Sequence, residues 1–189
     1  VVSVNPYGRA EFLQMAHTGL VIVIPEAEVR LGAMRRKFDP QVNLGVPAHI
    51  TVLFPFMPLE RVDPEVRRRI THLFERFSPF LCHLDRVGRF PATTYLAPAS
   101  TGPLVALTRG VVAEFPDYPP YGGAHSAVIP HLTVADGDAR AADLAEQELR
   151  VDIERHGAIV ALCRSVRLLE NSSGQWRDMH EFALVGHPG

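Results

Sequence analysis

Residues 47–56 read PAHITVLFPF and residues 128–136 read VIPHLTVAD. Each is a short apolar stretch around a His-x-Thr triplet, His49-Ile50-Thr51 in the first and His131-Leu132-Thr133 in the second. A strand alternates its faces with period two, so the histidine and threonine of each triplet point the same way, while Ile50 and Leu132 turn into a core. Each segment therefore predicts an imidazole and a hydroxyl side by side on a rigid strand. The chain has nine histidines, yet only these two open such a triplet. Composition alone gives roughly 0.4 triplets of this kind in such a chain, so one copy would mean little. Two copies, each on an apolar strand and each with a proline just upstream, mean far more.

Outward from the first triplet, TGLVIVI (18–24) reads as a buried strand. PEAEVRLGAMRRKF (25–38) reads as a helix, with Pro25 at its entry and Val29, Ala33, Met34 and Phe38 on one face. After the triplet strand (48–56), Asp63-Pro64-Glu65 caps a helix whose Val66, Ile70, Leu73, Phe74 and Phe77 form a stripe. FLCHLDRV (80–87) alternates as a half-buried strand. The same order then recurs. TTYLA (93–97) is a strand, and Thr101 caps a helix carrying Leu104, Leu107, Val111 and Phe115. A Pro/Gly-rich loop, FPDYPPYGG (115–123), leads to the second triplet strand. Ala142, Ala145, Leu149 and Ile153 mark a helix closed by Gly157, and AIVALCRSVRLL (158–169) is the matching strand. A last strand spans roughly 179–186.

The predicted fold is thus α+β, a β-α-β-α-β unit used twice with a triplet in the same slot of each copy. Two lobes related by a pseudo-twofold axis would bring both triplet strands to one cleft. The whole chain, 1–189, is expected to be one bilobal domain, with residues 1–17 a peripheral N-terminal segment.

Bulk properties narrow the partners. A formal net charge of −2 provides no basic field for a long nucleic-acid duplex and leaves room for a small anionic ligand at a local site. The N-terminal residues lack the pattern of a signal peptide, and nothing approaches the ~18 apolar residues of a membrane span. Cys82 and Cys163 sit in apolar strand-like segments, which fits buried thiols in a reducing compartment rather than a disulfide framework. The expectation is a cytoplasmic monomer, with no membrane partner.

Two imidazoles facing one phosphodiester suit acid–base hydrolysis. With ordinary pKa values near ~6.5, one can be neutral and the other protonated. The neutral ring takes a proton from the attacking water or hydroxyl, and the protonated ring gives one to the leaving oxygen. The threonine hydroxyls hydrogen-bond the non-bridging oxygens. Two histidines fall short of the three or four protein ligands of a zinc site, so neither metal nor cofactor is expected. Two other readings stay open: a binding module that holds a nucleotide or RNA end without turnover, and a metal-dependent hydrolase.

Other residues divide between function and structure. Tyr121 and Trp176 lie in loops where an aromatic ring can stack on a base or pack over a lobe edge. His125 precedes the second triplet and reads as a solvated loop histidine; His83, beside Asp85, reads as surface. Phe54 and Phe56 follow the first triplet, and Phe54, on the face of Ile50, reads as core. Arg35, Arg36 and Lys37 complement a helix dipole, and Arg67, Arg68 and Arg69 form a solvated face.

PAHITVLFPF (47–56), YGGAHSAVIPHLTVA (121–135) and the intervening FPATTYLAP (90–98) together resemble the two-histidine (2H) phosphoesterase superfamily, including its bacterial 2′-5′ RNA ligase-like members. The resemblance runs from Leu20 to the last strand. It implies two antiparallel sheets flanking a central cleft with helices outside. It also implies metal-independent hydrolysis of 2′,3′-cyclic phosphates or of 2′-5′ or 3′-5′ linkages, with reversible 2′-5′ ligation in some members. Carried over by position, His49 and His131 are the catalytic pair and Thr51 and Thr133 the phosphate binders. The implied partner is a nucleotide or RNA end. Many members have a basic residue after the second motif, where this chain has Asp136.

Overall fold

Buried from Thr18 to Ile22, the first strand is flanked by a strand on either side. The computed structural model describes residues 17–123 and 128–186. In chain order the elements are β1 (Thr18–Val23), α1 (Pro25–Phe38), β2 (His49–Leu53), α2 (Pro64–Glu75), β3 (Phe80–Phe90), β4 (Thr93–Pro98), α3 (Gly102–Glu114), β5 (Leu132–Asp136), α4 (Ala139–His156), β6 (Ile159–Cys163), β7 (Ser165–Glu170) and β8 (Arg177–Ala183), with short 3-10 turns between some of them. They build two four-stranded antiparallel sheets, ordered β2-β1-β7-β8 and β5-β4-β3-β6. Helices α2 and α3 back the first sheet, and α1 and α4 the second.

The duplicated order holds, and the copies exchange parts. β3, the third strand of the first copy, pairs with β4 in the second sheet; β7, from the second copy, pairs with β1 in the first. The helix after β1 likewise packs on β5 and β6, and the helix after β4 packs on β2. One apolar cluster consequently runs under both sheets, joining Ile22, Ile50 and Phe74 to Leu84, Leu132 and Leu149. Each large aliphatic or aromatic side chain buried there contributes about 1.5–3 kcal/mol.

Local signals act as the residue types dictate. Asp63 accepts a hydrogen bond from the Val66 amide at 2.8 Å, capping α2, and Asp138 does the same for Ala141 at 2.7 Å, capping α4. Gly157 closes α4 at φ 72, in the left-handed region that a side chain would strain. Thr101 occupies the cap position of α3 without a side-chain hydrogen bond.

Several expectations need correction. The strand read over 158–169 is two strands broken at Arg164, one in each sheet, because the chain must cross from one sheet to the other there. Cys82 and Cys163 therefore lie on neighbouring strands of one sheet, β3 and β6, rather than in corresponding slots. Both are free and buried, and their thiols hydrogen-bond each other. The last strand runs 177–183. The buried face of α1 is Ala27, Leu31, Gly32, Arg35 and Phe38, while Val29 is 90% exposed. A paired arginine takes a core position that an apolar pattern would have given to another residue. The expectation for the N-terminal segment falls, His17 apart, outside the described residues, as does His125.

Candidate active site

Strands β2 and β5 are the end strands of their sheets, and they come together edge to edge. Their registers place the two motifs equivalently. In the first sheet His49 stands opposite Val23 and Thr51 opposite Val21; in the second, Thr133 stands opposite Tyr95. Ile50 and Leu132 are fully buried behind them. His49, Thr51, His131 and Thr133 are all half-buried, and the strands that carry or follow them are in contact where the sheets meet.

Each imidazole is fixed the same way. His49 Nδ1 lies 2.8 Å from the Pro47 carbonyl, and His131 Nδ1 lies 2.7 Å from the Ile129 carbonyl. A carbonyl only accepts, so Nδ1 carries the proton in both rings and Nε2 keeps its lone pair in the neutral form. Thr51 Oγ1 lies 3.3 Å from His49 Nε2, so the hydroxyl and the reactive nitrogen are neighbours.

The rings differ electrically. Burial pushes His49 down to about 4; the Pro47 carbonyl opposes that, and the charges of Arg35 and His131 add to it. Burial also lowers His131, but there the Ile129 carbonyl and the negative charge of Asp136 resist. His49 is therefore the more firmly neutral imidazole. The charge of His131 is among those that bear on His49, which sets the two rings near each other. Asp136, whose charge bears on His131, accepts a hydrogen bond from Thr93 at 2.6 Å.

Around His131 the cleft wall is aromatic. Ring centroids are 5.0 Å apart for Tyr95 and His131, 5.3 Å for Phe90 and His131, and 4.6 Å for Phe90 and Tyr95. Gly88 faces Tyr95 across the β3–β4 pair, and a methyl group there would sit 2.4 Å from the Tyr95 ring. Tyr95 thus lies across the space that Gly88 leaves empty.

The two residues singled out for base stacking both meet Phe54, just past the end of β2. Trp176 packs edge-on against Phe54, with centroids 5.7 Å apart, and its amide donates to Leu44. Tyr121 donates its amide to the Phe54 carbonyl at 2.8 Å and has φ 52, so its loop crosses the end of β2. Phe54 itself is half-buried rather than core, whereas Phe56 is buried against Phe115 and Tyr118. His83 is exposed, as expected.

The largest surprise is Arg35, read from sequence as part of a solvated basic run and in fact 1% exposed. Tyr95 and Phe90 also carry no motif. A sequence signal existed for them: Tyr95 alternates with buried Thr94 and Leu96, which puts it on the face of the second triplet once β4 and β5 pair. Among the described residues no group of three or more His, Cys, Asp or Glu is arranged to hold a metal ion.

Relatives and solved structures agree on the architecture. A Bacillus cytotoxicus protein provisionally named a phosphoesterase is 26% identical over 135 residues, covering 66% of this chain and 73% of that protein. The crystal structure of TT0787 from Thermus thermophilus matches with TM-score 0.58 at 19% identity, over 90% of this chain and 99% of that one. Escherichia coli LigT in complex with 3′-AMP matches with TM-score 0.56 at 16% identity, over 89% of this chain and 98% of LigT. LigT has also been solved with NADP+ and with ATP. At such identities the likeness establishes a shared fold. Residues 24–174 match the family model described as the 2'-5' RNA ligase superfamily, and this chain belongs to that superfamily.

Proposed function

We propose that this protein is a metal-independent phosphodiesterase whose His49 and His131 act as general base and general acid across one phosphoryl group. The observation that carries this reading is the matched pair of imidazoles. Each is tied through Nδ1 to the carbonyl two residues earlier, and the one opens β2 while the other immediately precedes β5, two strands in contact. We assign His49 as the base, since burial, with Arg35, keeps it neutral, and His131, beside Asp136, as the proton donor. Thr51 and Thr133 donate to the non-bridging oxygens as charge builds there. In the reverse, ligating direction the two histidines exchange roles.

The substrate class we assign is a 2′,3′-cyclic phosphate or a 2′-5′-linked nucleotide or RNA end. The superfamily description and the nucleotides seen in LigT support it. The aromatic wall of Phe90 and Tyr95 beside His131 supports it too, because a ring face suits a base. We assign Trp176 and Tyr121 no more than a contact at the cleft margin. The reading extends to residues 1–189 working as one cytoplasmic monomer; two reduced, buried thiols fit such a compartment.

The test is a product-resolved screen of 2′,3′-cyclic nucleotides and 2′-5′ and 3′-5′ dinucleotides, with and without EDTA. His49→Ala and His131→Ala should each lower kcat by about 10²–10⁴-fold while leaving the fold intact, and chelation should change nothing. Saturable binding by calorimetry with no product from any substrate would replace this reading with that of a binding module.

A further inference from the structure

We propose that Arg35 and Glu28 of α1 are positioning residues for His49, clamping the three residues that lead into it so that Pro47 holds the imidazole in its reactive tautomer. The inference rests on the acid–base reading of the cleft and adds a support that no motif carries.

The clamp is built from both ends. One terminal nitrogen of Arg35 donates to Glu28 Oε2 at 2.9 Å. The other donates to Asp39 Oδ2 at 3.0 Å and to the Val46 carbonyl at 3.2 Å. The same Glu28 oxygen accepts the Ala48 amide at 2.8 Å. Val46 and Ala48 are thus gripped on either side of Pro47, whose carbonyl is the acceptor for His49 Nδ1. Asp39 is itself held by the Gln41 amide, so the far end of the fork is fixed as well. A guanidinium that is 1% exposed, with two carboxylates and a carbonyl on its fork, is a rigid strut rather than a solvated helix-end charge.

The second half of the molecule has no counterpart. Helices α1 and α3 align by their first residues, Pro25 and Gly102, and by their buried positions, Ala27 with Leu104, Leu31 with Thr108 and Phe38 with Phe115. In that register Val105 and Val112 stand where Glu28 and Arg35 do. The clamp therefore makes the half-sites unequal, and it does so at the histidine assigned as base. The charged groups bearing on His49 are Arg35 from α1 and His131, the residue before β5; Glu28 and Asp39 face Arg35, and Asp136 faces Asp39 and His131.

The test follows both imidazoles by long-range ¹H–¹⁵N NMR, with turnover of a 2′,3′-cyclic nucleotide measured in parallel. In Arg35→Met the His49 ring should populate both tautomers and titrate at higher pH, because the fixed cation is gone while burial remains. The kcat should fall about tenfold or more with KM nearly unchanged. His131 should keep its wild-type spectrum throughout, since general loosening would disturb both rings. Arg35→Lys should restore most of the titration midpoint and little of kcat, a point charge being no substitute for a fork. Should Arg35→Met fail to fold, Glu28→Gln decides: it should keep the fold, loosen the His49 tautomer and lower kcat about three- to tenfold. Folded Arg35→Met, or folded Glu28→Gln where that one decides, with the wild-type His49 tautomer and titration overturns the proposal. The NMR arm needs no substrate, so a wild-type protein that turns nothing over would defeat the function and leave the clamp to be judged on its own.

Discussion

At the scale of single residues, the proposed site is a pair of similar histidines in dissimilar fields. In the proposed reaction His49 must lose its proton to act as base and His131 must keep one to act as acid. Burial lowers both from ~6.5, His49 to about 4. The kcat/KM profile should therefore be a bell with both limbs below about pH 6.5, falling on the acid side as His49 protonates and on the alkaline side as His131 deprotonates. Replacing Asp136 with Asn removes the anion that favours the His131 imidazolium, so the alkaline limb alone should move to lower pH; stopped assays across pH 3.5–9 with both proteins check this. Thr51→Val keeps the shape and removes the hydroxyl beside Nε2, and should cost about 10–100-fold in kcat with the His49 titration little altered. The four motif residues were legible because strand periodicity alone puts His and Thr on one face. Arg35 was not, because a charge at a helix end reads as solvated unless its partners are known. Glu28 and Asp39 are near it in sequence, but only the fold brings Val46 down onto the same fork.

Among the elements, the β3–β4 hairpin sets the aromatic wall. Tyr95 can lie against His131 because Gly88 leaves room beneath it, so Gly88→Ala should push the ring off the sheet. The expected result is a fall in kcat of about tenfold or more with a small change in stability, seen as a shifted His131 resonance alongside unchanged circular dichroism. Element identity was largely legible from apolar spacing: the stripe of α2, the capping aspartate Asp63 and the alternation of β3 all appear as read. The break at Arg164 was not. AIVALC and SVRLL alternate equally well, and nothing within one strand says that its two halves belong to different sheets. The face of α1 misled for a related reason: it is set by packing against β5 and β6, which come from the other half of the chain.

For the molecule as a whole, the exchange of β3 and β7 leaves neither sheet the property of one half. Unfolding by urea should be a single transition in which circular dichroism and the fluorescence of Trp176, the only tryptophan, coincide. Separate midpoints would show two independent lobes despite the shared core. Stability should also follow pH through His49. The folded state resists protonating it while the unfolded chain does not, so the unfolded state binds more protons between about pH 6.5 and pH 4. Over that window stability declines as pH falls, by at most about 1.4 kcal/mol per pH unit from this group, and His49→Gln should flatten the decline. The same exchange bears on ancestry. A lone copy of the repeated unit would leave one strand reaching for a sheet it does not own, and two such chains trading that strand would close as a twofold dimer with one catalytic histidine from each. Fusion of the copies into one polypeptide frees each half to diverge, and the Glu28–Arg35 clamp, present in one half and matched by valines in the other, is what such a release from symmetry leaves behind.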